Sequence, residues 1–194
     1  MTVEPLNLAV IVGSVRDGRF GPTAARWFAG VARTHPDFRV ELVDLLDHPL
    51  PLVLPEPGGR PDAGTAEVRD ALGRKLAAAD AFVVVTPEYN HAPPAALKNA
   101  IDWFNAEWNA KPVGFVSYGG AGAGLRAVEH LRHVFAELHA TTVRESVSFT
   151  NVWELFDDGV PRDAAAGEAA VRVMLDRLSW WGWALRAARA ARPY

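Results

Sequence analysis

Short apolar runs alternate along this 194-residue chain with longer segments whose apolar residues recur at helical spacing. The clearest runs, Leu6–Val12 and Ala81–Val85, consist mainly of aliphatic and β-branched residues. Continuous runs of this kind are typical of strands buried on both faces, as in a parallel sheet covered by helices. The alternation therefore predicts an α/β fold with a doubly wound, five-stranded parallel sheet and helices on both faces.

The elements of this fold can be placed along the chain. Strands are expected near Leu6–Gly13, Arg39–Asp44, Ala81–Thr86, Pro112–Ser117 and Thr142–Ser148. Helices are expected near Pro22–Thr34, Gly64–Ala78, Pro94–Phe104, Ala123–His139 and Asp163–Ala190. The stretch 50–64 is rich in proline and glycine, which predicts an exposed loop. The length suits one domain over residues 1–194.

A polar loop containing glycine follows the first strand and leads into a helix, with a proline suited to the first helical turn. Free backbone N–H groups, the Ser14 hydroxyl and the guanidinium of Arg16 or Arg19 predict a phosphomonoester site. The loop lacks both a Gly-Lys-Ser/Thr sequence at the required spacing and the G-x-G-x-x-G pattern. An ordinary turn with solvated arginines is the alternative. The candidate phosphate-binding residues are Ser14, Arg16, Arg19, Gly21, Pro22 and Thr23.

A second loop joins the strand Ala81–Val85 to a helical pattern and is too long and polar for a minimal connection. It offers backbone N–H groups, the Asn90 amide and the flat side chain of Tyr89. A planar heterocycle with several hydrogen-bonding edges would need such groups on a rigid loop. A surface turn with a stray aromatic residue is the alternative. The candidate residues here are Pro87, Glu88, Tyr89 and Asn90.

A third loop follows the apolar run Lys111–Val116 and contains several glycines, which allow a ligand to approach the backbone. Backbone amides there could stabilise negative charge on a reduced ring. Ser117 also suggests a serine nucleophile, but the nucleophile elbow requires glycine where Phe115 stands. The candidate residues are Ser117, Tyr118, Gly119 and Gly120.

All three loops follow predicted parallel strands, and ligands of open parallel sheets bind at the carboxyl edge of the strands. The first loop suits a monophosphate, and the other two suit a planar ring that gains negative charge. Together they predict a flavin mononucleotide (FMN) site.

The chain resembles the NADPH-dependent FMN reductases of flavodoxin-like fold, which include relatives that reduce quinones, azo dyes or chromate. The resemblance runs from about Leu6 to about Phe149. Its motifs are Gly13-Ser14-Val15-Arg16, Thr86-Pro87-Glu88-Tyr89-Asn90 with Leu97-Lys98-Asn99-Ala100-Ile101-Asp102-Trp103, and Lys111-Pro112-Val113 through Ser117-Tyr118-Gly119-Gly120.

The resemblance implies FMN phosphate binding at Ser14, Arg16 and the loop 19–23. It implies ring binding at 87–90 and 117–120, NADPH as hydride donor, and a homodimer or homotetramer. No role is carried over to His91 or to the Trp-rich segment after Phe149.

The composition agrees with such an enzyme. A formal net charge of −3 and a pI near 6.1 give no general attraction to nucleic acid or an anionic membrane. The chain has no cysteine, which excludes disulfides, thiolate metal sites and a Cys nucleophile, so redox chemistry needs a cofactor. No apolar stretch has the length of a membrane span, and Met1–Pro5 lacks the features of a signal peptide. We therefore expect a cytoplasmic protein.

Aromatic clusters predict contacts between subunits. Trp103, Phe104 and Trp108 are expected to form oligomer contacts near the flavin. In the C-terminal helix, a helical period predicts a core-facing stripe, and Trp180 or Trp183 remains for an interface. The stripe comprises Val171, Leu175, Leu178, Trp181 and Leu185. His130, His133 and Glu137 share a helix face at ligand spacing, but we expect a solvated or subunit-contacting face and no metal site.

The sequence thus predicts an enzyme that binds FMN without a covalent link and takes hydride from NADPH. It would pass electrons to free flavin, a quinone or a similar small acceptor in a ping-pong cycle. Hydride transfer itself needs no catalytic side chain, since the flavin carries the chemistry. A flavodoxin-type electron carrier and an oxidoreductase dedicated to a specialised metabolite are the alternatives. The sequence leaves the acceptor and the preference for NADPH over NADH open.

Overall fold

The computed structural model describes residues 4–192 and 194 and contains a five-stranded sheet with the order β2-β1-β3-β4-β5. All neighbouring strands in it run parallel. The strands are β1 (Leu6–Val12), β2 (Phe38–Asp44), β3 (Ala81–Pro87), β4 (Pro112–Tyr118) and β5 (Thr141–Phe149). The predicted five-stranded parallel sheet is confirmed, and its order is that of flavodoxin-like folds.

Helices connect the strands close to the predicted positions. They are α1 (Gly21–Ala32), α2 (Ala63–Ala78), α3 (Ala95–Asp102), α4 (Leu125–Glu137), the short α5 (Val152–Leu155) and α6 (Ala164–Ala191). A 3-10 turn, Leu45–Asp47, follows β2. The segment 51–62 before α2 is largely exposed, as its proline and glycine content predicts.

Two apolar clusters form the core, one on each face of the sheet. On β1, Leu8 and Val10 belong to the cluster that includes residues of α1 and α6. Ala9 and Ile11 belong to the cluster that includes residues of α2, α3 and α4. Successive strand residues point to opposite faces, so a continuous apolar strand fills both clusters. This is why the buried strands show runs and not alternation.

A two-stranded hairpin before α6 was not predicted. Its strands are β6 (Phe156–Asp157) and β7 (Val160–Pro161), which pair antiparallel. Asp158 and Gly159 between them have φ values of 50° and 83°. Two positive φ angles define the two-residue turn that Asp-Gly favours, so the dipeptide was an available sequence signal.

The prediction that Trp103, Phe104 and Trp108 form exposed oligomer contacts is wrong. All three side chains are buried within the protomer. The Trp108 ring packs edge-to-face on Phe82 and Phe135, with centroid distances of 4.8 and 5.5 Å. The segment after α3 thus folds onto the sheet and α4, and its aromatic side chains lie in the core of the protomer.

The predicted core stripe of α6 is correct in part. Val171, Leu175 and Leu178 are buried, but Trp181 is 36% exposed. The buried stripe passes instead through Gly182, where a Cβ atom would lie 2.6 Å from Leu6 Cδ1. The Leu6 side chain thus packs directly on the helix at Gly182, and it would have to shift to admit a side chain there.

Candidate cofactor site

Strands β1, β3 and β4 end side by side at one edge of the sheet. Val12 is in register with Val85, and Thr86 with Ser117. Gly13 N–H donates to the Val85 carbonyl at 2.9 Å, which ties the first loop to β3. The strand order reverses at β1, and such a switch point is where ligands of doubly wound sheets bind. The three predicted loops therefore lie next to one another.

The β1–α1 loop places its two arginines in different environments. Arg19 donates from Nη1 and Nη2 to the two carboxylate oxygens of Asp44 at 2.6 and 2.8 Å, and from Nη1 to the Ser14 carbonyl at 2.7 Å. Arg16 is exposed, and its side chain makes no hydrogen bond or ion pair with a described residue. Of the two predicted cations, Arg16 is the one whose charge is available to a ligand.

The N-terminus of α1 lies at the end of this loop. Its N-cap residue, Phe20, has no side chain that could cap the helix, and the first turn contains no acidic residue. Pro22 occupies the first turn, as predicted. The positive end of the helix dipole is thus uncompensated by the described side chains, which suits a bound phosphate.

Ser14, Gly21 and Tyr118 meet beneath the loop. The Tyr118 hydroxyl donates to Ser14 Oγ at 3.1 Å, and both residues are buried. Burial raises the pKa of Tyr118 to about 12, although the hydrogen bond with Ser14 opposes the shift. A Cβ atom on Gly21 would lie 2.9 Å from the Tyr118 hydroxyl oxygen, so the helix start can approach β4 only as glycine.

The β3–α3 loop closes in a tight hairpin. Tyr89 and Ala92 exchange backbone hydrogen bonds of 2.9 and 3.1 Å. Asn90 and His91 form the tip, with φ values of 49° and 76°. Two consecutive non-glycine residues in the left-handed region persist only where the surrounding structure holds them. The hydrogen bonds and the two positive φ angles thus give this loop a defined hairpin conformation.

Glu88 connects this loop to α4. Its carboxylate accepts from the Arg126 backbone N–H at 3.1 Å and from Arg126 Nη1 at 2.7 Å. Burial alone would raise the pKa of Glu88, but the hydrogen bonds from Arg126 outweigh it, and the pKa lies below its ordinary value. Glu88 thus caps α4 and holds two of the three loops together.

The β4–α4 loop contains glycines of two kinds. Gly124 has a φ of 78°, and a Cβ atom there would lie 2.9 Å from Ser117 Cβ, so the fold itself needs this glycine. Cβ atoms on Gly119 and Gly120 would meet other protein atoms no closer than 3.5 and 3.8 Å. The two predicted ring-facing positions are therefore open on the protein side.

Ser117 is buried, and its Oγ lies 2.9 Å from Ser148 Oγ in β5. The hydroxyl is therefore held between two strands by another serine and not by a histidine. Thr23 lies in the first turn of α1, where its Cγ2 is 3.8 Å from the Cβ position of Gly159 in the β6–β7 hairpin. Pro87 is buried at the end of β3.

A cleft of about 290 Å³ borders the β1–α1 loop. Its lining includes Val15, Leu46 and Asn99. The segment after the 3-10 turn is fixed against α3, because Asn99 Nδ2 donates to the Leu50 carbonyl at 2.9 Å and Trp103 Nε1 donates to the Pro51 carbonyl at 2.9 Å. The proline-rich segment thus borders the first loop.

Three residues that shape the site were missed from the sequence: Asp44, Arg126 and Trp153. Asp44 and Arg126 pair with residues 25 and 38 positions away, and no local pattern marks such partners. Trp153 lies on α5, and its indole Cη2 is 3.8 Å from the position that a Cβ atom on Gly120 would occupy. The sequence signal for Trp153 would have been the short polar segment between β5 and α5.

The sheet order and the position of the three loops at the switch point define a flavodoxin-like protein. The model of the family "NADPH-dependent FMN reductase" matches residues 6–154. The chain belongs to this family, as its motifs predicted.

Two similar proteins are named as reductases. An "NAD(P)H-dependent FMN reductase" of Schizosaccharomyces pombe is 47% identical over 132 residues, which are 66% of this chain and 64% of that protein. A "2-hydroxy-1,4-benzoquinone reductase" of a Burkholderia species is 36% identical over 146 residues, 69% of this chain and 72% of that protein.

A solved structure shares the fold. "FerB", described as a flavoenzyme NAD(P)H:(acceptor) oxidoreductase from Paracoccus denitrificans, superposes with a TM-score of 0.74 at 22% identity. The superposition covers 91% of this chain and 97% of that one.

Residues 4–192 and 194 contain no helix that is both long and apolar enough to cross a membrane. Over the same residues, no group of three or more His, Asp or Glu side chains is arranged to hold a metal ion.

Proposed function

We propose that this chain binds FMN without a covalent link, oxidises NADPH and reduces a small acceptor such as free flavin or a quinone in a ping-pong cycle. The observation that carries the proposal is the meeting of the β1, β3 and β4 loops at the switch point. Family membership and the printed names of the relatives support the same reaction. The bound flavin would supply the hydride chemistry.

The phosphate would be held at the N-terminus of α1. Arg16 and the backbone around Gly21, Pro22 and Thr23 would bind it, because the helix start has no side-chain cap and Arg16 has no protein partner among the described residues. Ser14 lies buried beside the helix start and would add its hydroxyl. Arg19 would shape the loop through Asp44 while adding positive charge nearby.

The ring would lie between the second and third loops. Tyr89 and Asn90 would face it from the rigid hairpin, and Gly119 and Gly120 would approach it through their backbone. Pro87, Glu88, Ser117 and Tyr118 would support these loops, since each is packed or hydrogen-bonded within the protein. Backbone N–H groups facing the ring would stabilise negative charge on it.

The test is direct. The purified protein should be yellow, with the absorption of bound flavin, and should release FMN on denaturation. NADPH should reduce the bound flavin, and a quinone or free flavin should reoxidise it. If the protein binds FMN but NADPH does not reduce the bound flavin, the protein would instead be an electron carrier. A protein that binds riboflavin as well as FMN would contradict the phosphate site.

We also propose a homodimer or homotetramer. The tryptophans named for this contact are buried, but four apolar side chains of the 3-10 turn and the segment after it remain exposed: Leu46, Leu52, Val53 and Leu54. Burying these apolar side chains in a two-fold interface between subunits would lower the free energy, because it removes apolar surface from water. We expect Val53→Glu to lower the mass measured by light scattering at micromolar concentration. A wild-type monomer with its flavin bound would contradict the proposal.

A further inference from the structure

Trp153 is a large aromatic side chain left in solvent beside the candidate ring site. It is 69% exposed, and its indole Cη2 lies 3.8 Å from the Cβ position of Gly120. Trp153 therefore presents an exposed aromatic face beside the candidate ring site, where a planar ligand could contact it.

The backbone holds Trp153 in this position. Asn151, at a φ of 40°, donates from its N–H to the Gly120 carbonyl at 3.4 Å. The Asn151 carbonyl accepts from Glu154 N–H at 2.8 Å and from Leu155 N–H at 3.3 Å. Val152 is buried in the core beneath. The indole is thus carried on a segment tied to the third loop, while the ring itself stays free.

We propose that Trp153 binds the planar electron acceptor by stacking against it, next to the flavin site. This inference rests on the proposed function, because it assigns the acceptor to a particular wall of that site. A quinone or a free flavin has the flat π-face that an exposed indole can stack on. Trp153 binds and orients in this proposal, and no proton or electron passes through it.

The chain offers a matched control in Trp180, which is 64% exposed on α6. Trp180 lines a shallow hollow with His35 and Asp37, and Asp37 directly precedes β2. It therefore lies near the amino-terminal ends of the strands, whereas the candidate site lies at their carboxyl ends. Trp153→Ala and Trp180→Ala remove similarly exposed indoles at different ends of the sheet.

The experiment measures two acceptors in wild type, Trp153→Ala, Trp153→Phe and Trp180→Ala, all loaded with FMN. We expect Trp153→Ala to raise the KM for 1,4-naphthoquinone about 10-fold, since stacking on an aromatic side chain contributes about that much. Ferricyanide is not planar, so its turnover and the rate of flavin reduction by NADPH should be unchanged. Trp153→Phe should keep most of the affinity, and Trp180→Ala all of it.

Equilibrium dialysis of 1,4-naphthoquinone against the FMN-loaded proteins measures quinone binding directly. It tests the role of Trp153 even if the enzyme shows no turnover. Weaker quinone binding by Trp153→Ala alone supports the proposal. Equal binding by wild type and Trp153→Ala overturns it. Loss of FMN from Trp153→Ala also overturns it, because Trp153 would then support the flavin itself. If wild type does not oxidise NADPH but Trp153→Ala still binds the quinone more weakly than wild type does, the proposed function is contradicted. The role of Trp153 in quinone binding is then still supported.

Discussion

Arg16 and Arg19 show how two residues three positions apart acquire different properties. Arg19 forms a two-pronged ion pair with Asp44 and bonds the Ser14 carbonyl, so most of its donors are occupied. Arg16 is exposed and unpaired with any described side chain. A cation with no partner beside an uncapped helix start is available to a phosphate.

We expect Arg16→Ala to weaken FMN binding about 10- to 100-fold, since a hydrogen bond to a charged group is worth about 1.5 to 3 kcal/mol. Riboflavin, which lacks the phosphate, should bind the variant and wild type equally. Fluorescence titration with both flavins measures the two affinities. An equal loss for riboflavin would show that Arg16 acts on the ring or the fold and not on the phosphate.

Gly119 and Gly124 also separate ligand binding from folding. Gly124 has no room for a Cβ atom, whereas Gly119 has ordinary contact distances. We expect Gly119→Val to lose bound flavin while its thermal midpoint matches that of flavin-free wild type. Gly124→Ala should lower the midpoint of the flavin-free protein by several degrees because of its positive φ. Flavin absorbance and thermal melts distinguish them. Full occupancy in Gly119→Val would mean that the third loop lies away from the ring.

At the scale of the element, the Glu88–Arg126 contact joins the β3–α3 loop to the start of α4. The carboxylate occupies the position of an N-terminal cap, where negative charge is favourable. By contrast, the Lys98–Asp102 pair links two exposed residues within α3. The two ion pairs therefore differ in what they hold together.

We expect Glu88→Ala to lower the free energy of unfolding by about 1.5 to 3 kcal/mol, because it leaves Arg126 N–H without its charged acceptor. Asp102→Ala should cost less than about 0.5 kcal/mol, as exposed pairs within helices do. Urea denaturation measures both. The Glu88 contribution should be present at neutral pH and fade as pH falls below about 4.3, because its pKa is lowered in the folded state. Equal losses in the two variants would show that Glu88 has no special structural role.

At the scale of the whole molecule, Lys111 makes stability depend on alkaline pH. The side chain is buried, and its Nζ donates to the carbonyls of Leu76 and Ala77 at 2.8 and 3.1 Å, at the end of α2. Burial lowers the pKa of Lys111 to about 8, with a smaller contribution from Arg189. The charged form is thus disfavoured in the folded protein.

Between pH 8 and about 10, the unfolded chain keeps the proton on Lys111 that the folded chain has released. The free energy of unfolding should therefore rise with pH, by about 1 to 2 kcal/mol between pH 8 and 9.5, relative to Lys111→Met. Above pH 10 the raised pKa of Tyr118 should lower the free energy of unfolding of both proteins, so the difference between them should level off. Urea denaturation across this range measures the difference. A parallel pH dependence in wild type and Lys111→Met would contradict the assignment.

Local sequence patterns were sufficient to predict the strands and helices and the edge of the sheet where the candidate site lies. The runs that became β1, β3 and β4 are continuous and rich in β-branched residues, and each is followed by a polar loop and a helical period. Backbone preference and periodicity are properties of neighbouring residues, so they can be read from the sequence. The Asp-Gly turn of the β6–β7 hairpin is also a local sequence signal.

The sequence by itself thus determined the order of strands and helices, the family motifs and the three loops that converge. Only the tertiary structure decided that Arg19 pairs with Asp44, that Glu88 caps α4, that Trp108 enters the core and that Trp153 stays outside. These outcomes depend on distances between segments far apart in the chain and on the space left by close packing. Side chains of the same type can therefore end in opposite environments, and no local pattern distinguishes them.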